Sequence, residues 1–402
     1  MNMSNNKALL IINLRGSIIG GAQRRYLSLY NYISEGREDY FLITNRRLYN
    51  EAIDKRLLTG TKNVKLINLP GSKYKKNRAN NSIKGKLPYL QENLTIKRRL
   101  GEIKAFMKLF LIWLFFSFQF IVIMRKYKIK AIYSAFTGGM WSWPLLKLFK
   151  YKLIYSYNDS SLWSLDNKIT KFFDSEYWVL KKADRIDFLS HGIISRLEKK
   201  IGQIEPERIS VTPNSFINYE KFYPEYPKIN SVVFLARLYS VKNPILYLKA
   251  INIFNKKNDS NEIIFYLIGE GMENEINDFI KKNDLNNVEF IKKHYQPWEF
   301  LRRSKIFVSI QQDENYPSQS LLEAMACENA IIASDVGETR KLVTEREGIL
   351  IPLDAEKLAD AIEQLFSAPY LIKELGKNAR KKAIENHNVE KFAEYFYSIT
   401  ND

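Results

Sequence analysis

Short apolar runs alternate with longer amphipathic stretches along the whole chain, and this alternation limits the folds that the sequence can adopt. Parallel strands cannot be joined by tight turns and need a connection of a dozen or more residues, usually a helix. The pattern is therefore typical of parallel sheets covered by helices, and it predicts an α/β protein.

The apolar runs predict two successive sheets. The first set of predicted strands comprises residues 8–14, 40–44, 64–69, 131–134, 153–156, 185–189 and 209–213. The second set comprises residues 231–236, 263–268, 288–291, 306–310, 330–334 and 348–351. Residues 213–229 are rich in Pro, Tyr and Asn and have little periodicity, so we expect the interdomain linker there. A chain of 402 residues also exceeds the usual size of one domain.

Cysteine and histidine usage argues against disulfides and metal clusters. Cys327 is the one cysteine, so no intrachain disulfide can form. The three histidines, His191, His294 and His387, lack metal-ligand spacing, and we expect no metal site. The N-terminus leads directly into the first predicted strand without a signal-peptide pattern, so we expect a cytoplasmic protein.

The charge is unevenly distributed. Residues 1–150 contain 28 Lys and Arg against 7 Asp and Glu, or +21, whereas the remainder contains 34 against 37, or −3. Such asymmetry indicates an anionic partner for the first half, either nucleic acid or the headgroups of a membrane. The alternative is that the lysines only solvate the surface.

Residues 109–124 (LFLIWLFFSFQFIVIM) carry no charge and are flanked by Lys104, Lys108, Arg125, Lys126 and Lys128. As a helix, sixteen residues span about 24 Å, which is less than the roughly 30 Å hydrocarbon core. We expect a helix near residues 105–124 that lies in one leaflet of an anionic membrane surface. The alternative is a core helix of the first domain. We expect no nucleic acid, since no known binding motif accompanies the charge.

A glycine turn follows the first predicted strand, with Gly20 and Gly21 opening a helix. Backbone amides at such a turn can face a phosphate or a sugar. A glycine pair before a helix is also common in turns that bind nothing.

Two cations follow the first strand of the second set. Arg237 stands at the strand end and Lys242 five residues later, where both can hold a diphosphate and stabilise charge that develops on it. Gly269, Glu270 and Gly271 form a second glycine turn, where the backbone can approach a ligand.

The segment 313–327 (DENYPSQSLLEAMAC) predicts a polar turn followed by a helix. Ser318, Gln319 and Ser320 would present backbone amides at the helix N-terminus to a phosphate. Glu323 would accept hydrogen bonds from ribose hydroxyls. The alternative for Ser320 and Glu323 is a capping box.

A set of motifs, taken in their order along the chain, resembles that of the retaining glycosyltransferases of family 4. They are Arg237 with Lys242, the sequence Gly269-Glu270-Gly271, the LLEAMAC run and the sequence 334–338 (SDVGE), together with residues 183–184, Ser190 and residues 211–214. The resemblance implies a GT-B fold, in which two Rossmann-like domains have parallel sheets facing a central cleft. It further implies a nucleotide-sugar donor, transfer with retained configuration and no essential metal or other cofactor.

The resemblance also assigns the domains. Residues 1–215 would bind the acceptor, residues 216–382 would bind the nucleotide sugar, and residues 383–402 would form a helix that returns to the first domain. We expect a UDP-sugar in preference to a GDP-sugar.

Three positions depart from the family pattern. One is Glu328, where the family commonly has Gly, and we interpret it as surface variation. The family places a glutamate that contacts the sugar eight residues before Glu323, where this chain has Asn315, with Glu314 beside it. It also often has His-Asp where this chain has Asn158 and Asp159. We expect either Glu314 or Asn315 to contact the sugar, and Asn158 and Asp159 to bind a hydroxyl of the acceptor or the sugar.

Together, these features predict a hexosyltransferase that is peripheral on the inner face of the cell membrane. Its acceptor would be a lipid-linked glycan or another membrane-surface acceptor in cell-surface polysaccharide synthesis. The alternatives are a catalytically degenerate GT-B partner or scaffold of a membrane glycosyltransferase complex, and a nucleotide-sugar epimerase of the same architecture.

Overall fold

The structure is a computed structural model that describes residues 6–12, 19, 21–70, 96–157, 175–213, 215–217, 219–258, 262–292, 296–313 and 316–401. The chain divides into two compact units. Unit 1 comprises Met1–Phe188, Arg196–Ser210 and Phe396–Asp402, and unit 2 comprises Leu189–Ser195 and Val211–Tyr395.

Unit 1 is built around a seven-stranded sheet of order β3-β2-β1-β4-β5-β6-β7. Its strands are β1 (Asn6–Ile11), β2 (Tyr40–Asn45), β3 (Val64–Ile67), β4 (Ile129–Ala135), β5 (Lys152–Tyr157), β6 (Arg185–Phe188) and β7 (Ile209–Val211). Neighbouring strands from β3 to β6 are parallel. The helices that follow these strands are α1 (Gly21–Gly36), α2 (Arg46–Asp54), α3 (Ile96–Lys126), α4 (Phe136–Leu148), α5 (Ser175–Lys182) and α6 (His191–Ile201). The first five residues of α6 belong to unit 2.

Unit 2 contains a six-stranded parallel sheet of order β10-β9-β8-β11-β12-β13. Its strands are β8 (Ile229–Leu235), β9 (Ile264–Ile268), β10 (Val288–Ile291), β11 (Ser304–Ser309), β12 (Ala330–Ser334) and β13 (Gly348–Ile351). Its helices are α7 (Pro244–Lys257), α8 (Glu273–Lys282), α9 (Trp298–Arg303), α10 (Gln319–Ala326), α11 (Thr339–Leu342), α12 (Ala355–Ser367), α13 (Pro369–Asn386) and α14 (Val389–Asn401). This strand order is that of a Rossmann fold.

The predicted α/β class and all thirteen predicted strands are confirmed. Strands β2 and β12 are buried at every position, so helices cover both faces of each sheet and the strands appear in the sequence as continuous apolar runs. The ends were predicted less well, since the first strand ends at Ile11 and not at residue 14. The polar segment that follows β3, residues 71–95, lies outside the described residues.

Helix α3 contains the uncharged run and has two different apolar faces. Phe116, Phe120 and Met124 are buried, whereas Phe115 and Phe118 are 60% and 73% exposed. The alternative prediction of a core helix therefore holds for one face of α3, and the other face is exposed. Among the described residues, no helix is long and apolar enough to cross a membrane.

The last helix, α14, contributes residues to both units. Its residues up to Tyr395 belong to unit 2, where Phe392 packs on Phe216 with ring centroids 5.2 Å apart. From Phe396 onward the helix belongs to unit 1, where the Phe396 ring packs on Tyr133 at 5.1 Å.

One buried histidine of unit 2 makes folding sensitive to acid. His387 is 4% exposed, and its Nδ1 accepts a hydrogen bond from the backbone N–H of Ser215 (3.4 Å). Burial lowers the pKa of His387 to about 4. The unfolded chain, with a histidine pKa near 6.5, therefore binds more protons than the folded chain between pH 6.5 and 4.

We predict that His387 lowers the free energy of unfolding by about 2 kcal/mol when the pH falls from 7.5 to 5, because protonation favours the unfolded state. Urea titrations at the two pH values measure the loss. The variant His387→Asn keeps a hydrogen-bond acceptor but cannot titrate, so its loss should be smaller by that amount. An equal loss in both proteins would contradict the prediction.

Candidate functional site

The candidate site lies at the carboxyl edge of the unit 2 sheet. The loops that follow β8, β9, β11 and β12 all emerge there, because the four strands are parallel and adjacent. In open parallel α/β sheets, ligands bind in the crevice outside the carboxyl ends of the strands.

The loop after β8 carries both predicted cations. Arg237 lies two residues after the strand and is exposed, and Lys242 ends a short 3₁₀ turn, Ser240–Lys242. Lys242 Nζ donates to the side-chain Oε1 of Gln311 (2.6 Å), at the end of the neighbouring strand β11. Burial lowers the pKa of Lys242, and the carboxylate of Asp313 opposes that shift. The lysine is thus held against the loop after β11.

The glycine turn after β9 packs directly on the Arg237 loop. Gly269 has φ +152° and Gly271 has φ +118°. A Cβ atom at Gly269 would overlap the carbonyl oxygen of Ala236, and one at Gly271 would overlap that of Leu238. Both glycines are therefore needed for contact between two protein loops, a role that the sequence pattern alone did not reveal.

Helix α10 directs its N-terminus to the same edge of the sheet. It begins at Gln319 with Ser318 as N-cap, and Leu322 N–H donates to Ser318 O (3.1 Å). The amides of Gln319, Ser320 and Leu321 precede that bond and have no partner within the helix by its geometry. The capping-box alternative was wrong, because Ser320 lies within the helix and does not cap it.

The side chain of Gln319, in this first turn, binds residues outside the helix. Gln319 Nε2 donates to Phe216 O (3.3 Å), and its Oε1 accepts from the hydroxyl of Ser215 (3.3 Å). Gln319 therefore anchors the segment after β7, and only its backbone amide is placed for a ligand. Ser320 and Glu323 are partly exposed.

Gln311 was not predicted from the sequence. This residue is 5% exposed, and its backbone N–H and C=O both bond the hydroxyl of Ser334 (3.0 Å each) at the end of β12. It also holds Lys242. A polar residue immediately after a buried strand is the signal that could have identified it.

Glu338 organises the loop after β12. Its Oε1 accepts from the backbone N–H of His191 (3.2 Å), and its Oε2 lies 2.8 Å from Lys341 Nζ. A carboxylate at the first residue of α6 favours the positive end of that helix. Nearby, Asp335 pairs with Arg340.

A cavity of about 450 Å³ opens in unit 2. It is lined by Pro213, Tyr316, Lys341, Lys382, Asn386, His387 and Lys391. Neither Arg237 nor Lys242 lines it, so the strand-end geometry and not this cavity defines the candidate site.

Several predicted residues lie outside the described residues, namely Gly20, Asn158, Asp159, Glu314, Asn315 and His294. Gly21 is described and begins α1. Within the part of the chain that the structure describes, no group of three or more His, Cys, Asp or Glu side chains could hold a metal ion.

The family comparison matches the part of the chain that carries this site. Residues 216–382 match the model of glycosyl transferases group 1. These 167 residues are similar to a group 1 glycosyl transferase domain. The match begins just before β8 and ends within α13, so it contains the whole carboxyl edge described above.

Two curated relatives are similar over part of their length. One, from Campylobacter jejuni, is named GalNAc-alpha-(1->4)-GalNAc-alpha-(1->3)-diNAcBac-PP-undecaprenol alpha-1,4-N-acetyl-D-galactosaminyltransferase; it is 25% identical over 56% of this chain and 60% of that protein. The other, spore coat protein SA of Bacillus subtilis, is 27% identical over 42% of this chain and 48% of that protein. The chain therefore spans about half of the length of these relatives.

Solved structures share the fold over nearly the whole chain. HepE of Anabaena, crystallised with UDP and glucose, superposes with a TM-score of 0.69 at 13% identity and covers 99% of both chains. Sucrose-phosphate synthase of Thermosynechococcus elongatus superposes with a TM-score of 0.70 at 18% identity, covering 98% of both. The predicted GT-B fold, with two Rossmann-like domains, is confirmed.

We predict that Gly269→Ala destabilises unit 2 by roughly 1–3 kcal/mol, because the new methyl group meets the Ala236 carbonyl at a strained φ. Thermal unfolding measures the effect. Gly36→Ala is the matched control, since a Cβ there meets nothing within 4 Å and alanine favours the helix. Equal melting temperatures for the two variants would contradict this account of the loop.

Proposed function

We propose that the protein transfers a hexosyl group from a nucleotide sugar to an acceptor, with retained configuration. One observation carries the proposal, namely that Arg237, Lys242 and the amino end of α10 share one edge of one sheet. The donor would bind in unit 2 at that edge.

Strand pairing supports a shared diphosphate site. Strands β8 and β11 are neighbours, about 5 Å apart, so the cation loop and the turn that leads to α10 start side by side. Lys242 binds Gln311, and Gln312 N–H donates to Val241 O (2.9 Å), which ties the two loops together. Two cations and several free amides would then surround the diphosphate.

The rest of the donor follows from the same helix. Glu323 lies one turn after the first amides of α10, where its carboxylate would accept hydrogen bonds from the ribose. We favour a UDP-sugar over a GDP-sugar, and HepE, which has the same fold, was crystallised with UDP. Either Glu314 or Asn315 would contact the sugar.

Stabilisation of the negative charge on the leaving diphosphate would accelerate the reaction. The leaving diphosphate gains negative charge as the sugar departs, and Arg237, Lys242 and the α10 amides would stabilise that charge without an essential metal. The acceptor hydroxyl would attack from the same face that the diphosphate leaves, and the diphosphate would take its proton, which gives retention.

We further propose a lipid-linked glycan as acceptor, in cell-surface polysaccharide synthesis on the inner face of the membrane. The Campylobacter jejuni relative is named for an acceptor on PP-undecaprenol. The charge of +21 in residues 1–150 also suits an anionic membrane surface. Asn158 and Asp159, which follow β5, would contact the acceptor.

A screen of UDP-, GDP- and ADP-sugars in the presence of EDTA tests the enzyme assignment. We expect one UDP-sugar to raise the melting temperature and to release UDP slowly, with faster release when acceptor is added. Binding without release would instead identify the degenerate partner, and the absence of binding by every donor would overturn the proposal.

We predict that Arg237→Ala and Lys242→Ala each lower kcat/KM by roughly 10²-fold, about 3 kcal/mol, because each removes a cation from the developing diphosphate charge. UDP release from the donor sugar measures the rate. Lys249→Ala is the matched control, since Lys249 is an exposed lysine of the adjacent helix α7. Turnover close to that of the control in either variant would contradict the assignment.

We predict that Glu323→Gln weakens UDP binding about tenfold, because an amide replaces one charged acceptor of the ribose hydroxyls. Calorimetry with UDP and with uracil measures the effect, and uracil, which lacks the ribose, provides the internal control. Unchanged UDP affinity would show that Glu323 has only a structural role.

A further inference from the structure

Helix α3 of unit 1 exposes a continuous apolar stripe. The outer stripe consists of Met107, Leu111, Leu114, Phe115, Phe118 and Val122. At 100° per residue these six side chains fall within an arc of about 100°, so they form one face of the helix. Single exposed apolar residues are ordinary, but a contiguous exposed patch of this kind marks a binding surface.

The opposite face of α3 fixes the orientation of the outer stripe. Phe116 and Phe120 are fully buried, and the Phe116 ring packs edge-on against Trp141 at 5.6 Å. Gln119 bonds both backbone groups of Asn68, accepting from its N–H (2.8 Å) and donating to its C=O (2.9 Å). The helix therefore cannot turn its outer stripe inward without losing core contacts and hydrogen bonds.

The sequence around the stripe is rich in basic residues. Residues 103–150 contain eight basic and no acidic side chains. Arg125, Lys126, Lys128 and Lys150 are exposed near the carboxyl ends of α3 and α4. The Arg125 guanidinium lies 5.1 Å from the Phe149 ring, which brings those two ends together, and the neighbouring Leu148 is 72% exposed.

We infer that the outer stripe of α3 docks on the surface of an anionic phospholipid bilayer, with the helix lying in the plane of the membrane. An apolar face bordered by basic residues matches such a surface, because the apolar groups enter the acyl boundary while the cations meet the headgroups. A second copy of this chain would instead bring a second set of basic residues against the first, which opposes self-association.

The in-plane orientation follows from the two faces. A lone helix that crosses the bilayer meets lipid on every face, whereas α3 packs Phe116, Phe120 and Met124 into the core of unit 1. The outer stripe also spans only about 22 Å, less than the roughly 30 Å hydrocarbon core. Docking parallel to the surface satisfies both faces at once.

Docking would bring unit 1 to acceptors at the headgroup level, and this purpose rests on the proposed function. The docking itself involves no turnover. It can therefore be measured separately from catalysis.

Flotation of the full chain with vesicles tests the inference. The chain should float with vesicles of phosphatidylglycerol and phosphatidylethanolamine at 0.1 M NaCl. The bound fraction should fall but persist at 1 M NaCl, because the Debye length shortens from about 10 Å to 3 Å while apolar contacts remain. Phosphatidylcholine vesicles should bind more weakly at low salt.

The double variant Leu114→Gln/Phe118→Gln should bind the anionic vesicles at least about tenfold more weakly than the parent, because it removes two of the apolar groups that enter the bilayer. Tyr370→Gln is the matched control, since Tyr370 in unit 2 is 74% exposed, close to the 73% of Phe118. UDP binding by the double variant should equal that of the parent. Failure of UDP binding in the parent would affect the proposed function and leave the flotation result standing.

Fluorophores on Leu111→Cys and Phe118→Cys report the orientation, and the buried Cys327 should not react. Quenching by lipids labelled at known depths should place both sites at equal depth, whereas a crossing helix would separate them by about 10 Å. Three results would overturn the inference: absence of flotation with anionic vesicles, equal binding by the double variant, or a dimer in solution that requires the outer stripe.

Discussion

Adjacent parallel strands of unit 2 end at one edge of the sheet, and every part of the proposed donor site depends on that constraint. Parallel pairing of β8 with β9 and β11 places the cation loop, the glycine turn and the turn before α10 side by side. The loops then fix one another. Gly269 permits contact with the Arg237 loop, and Gln311 holds Lys242. Lys242 is therefore positioned before a ligand arrives, which is the condition under which charge stabilisation is most effective.

The two ends of the proposed reaction require different physical environments. A diphosphate is held by cations and amides at a sheet edge, whereas a lipid-linked acceptor requires access to a bilayer. The chain separates these requirements by sequence, because residues 1–150 carry +21 and the remainder carries −3. Helix α3 adds an apolar face to that charge and uses its other face as core of unit 1.

The sequence predicted most of the fold and only part of the site. Buried parallel strands are continuous apolar runs, so β2 and β12 are visible without a structure. Arg237 and Lys242 were predicted because they follow such a strand. The contact between Gly269 and Ala236 joins two loops more than thirty residues apart, which no local pattern reveals. In α3, a run that is apolar on every face has no polar contrast, so the sequence could not separate the buried Phe116 from the exposed Phe118.

A crystal structure of the protein with UDP tests the central claim most directly, because it locates the diphosphate in unit 2. The account predicts phosphate oxygens within hydrogen-bonding distance of Arg237, Lys242 and the first amides of α10, with the ribose beside Glu323. A nucleotide bound in the cavity lined by Tyr316 and Lys382, with Arg237 and Lys242 directed to solvent, would contradict it.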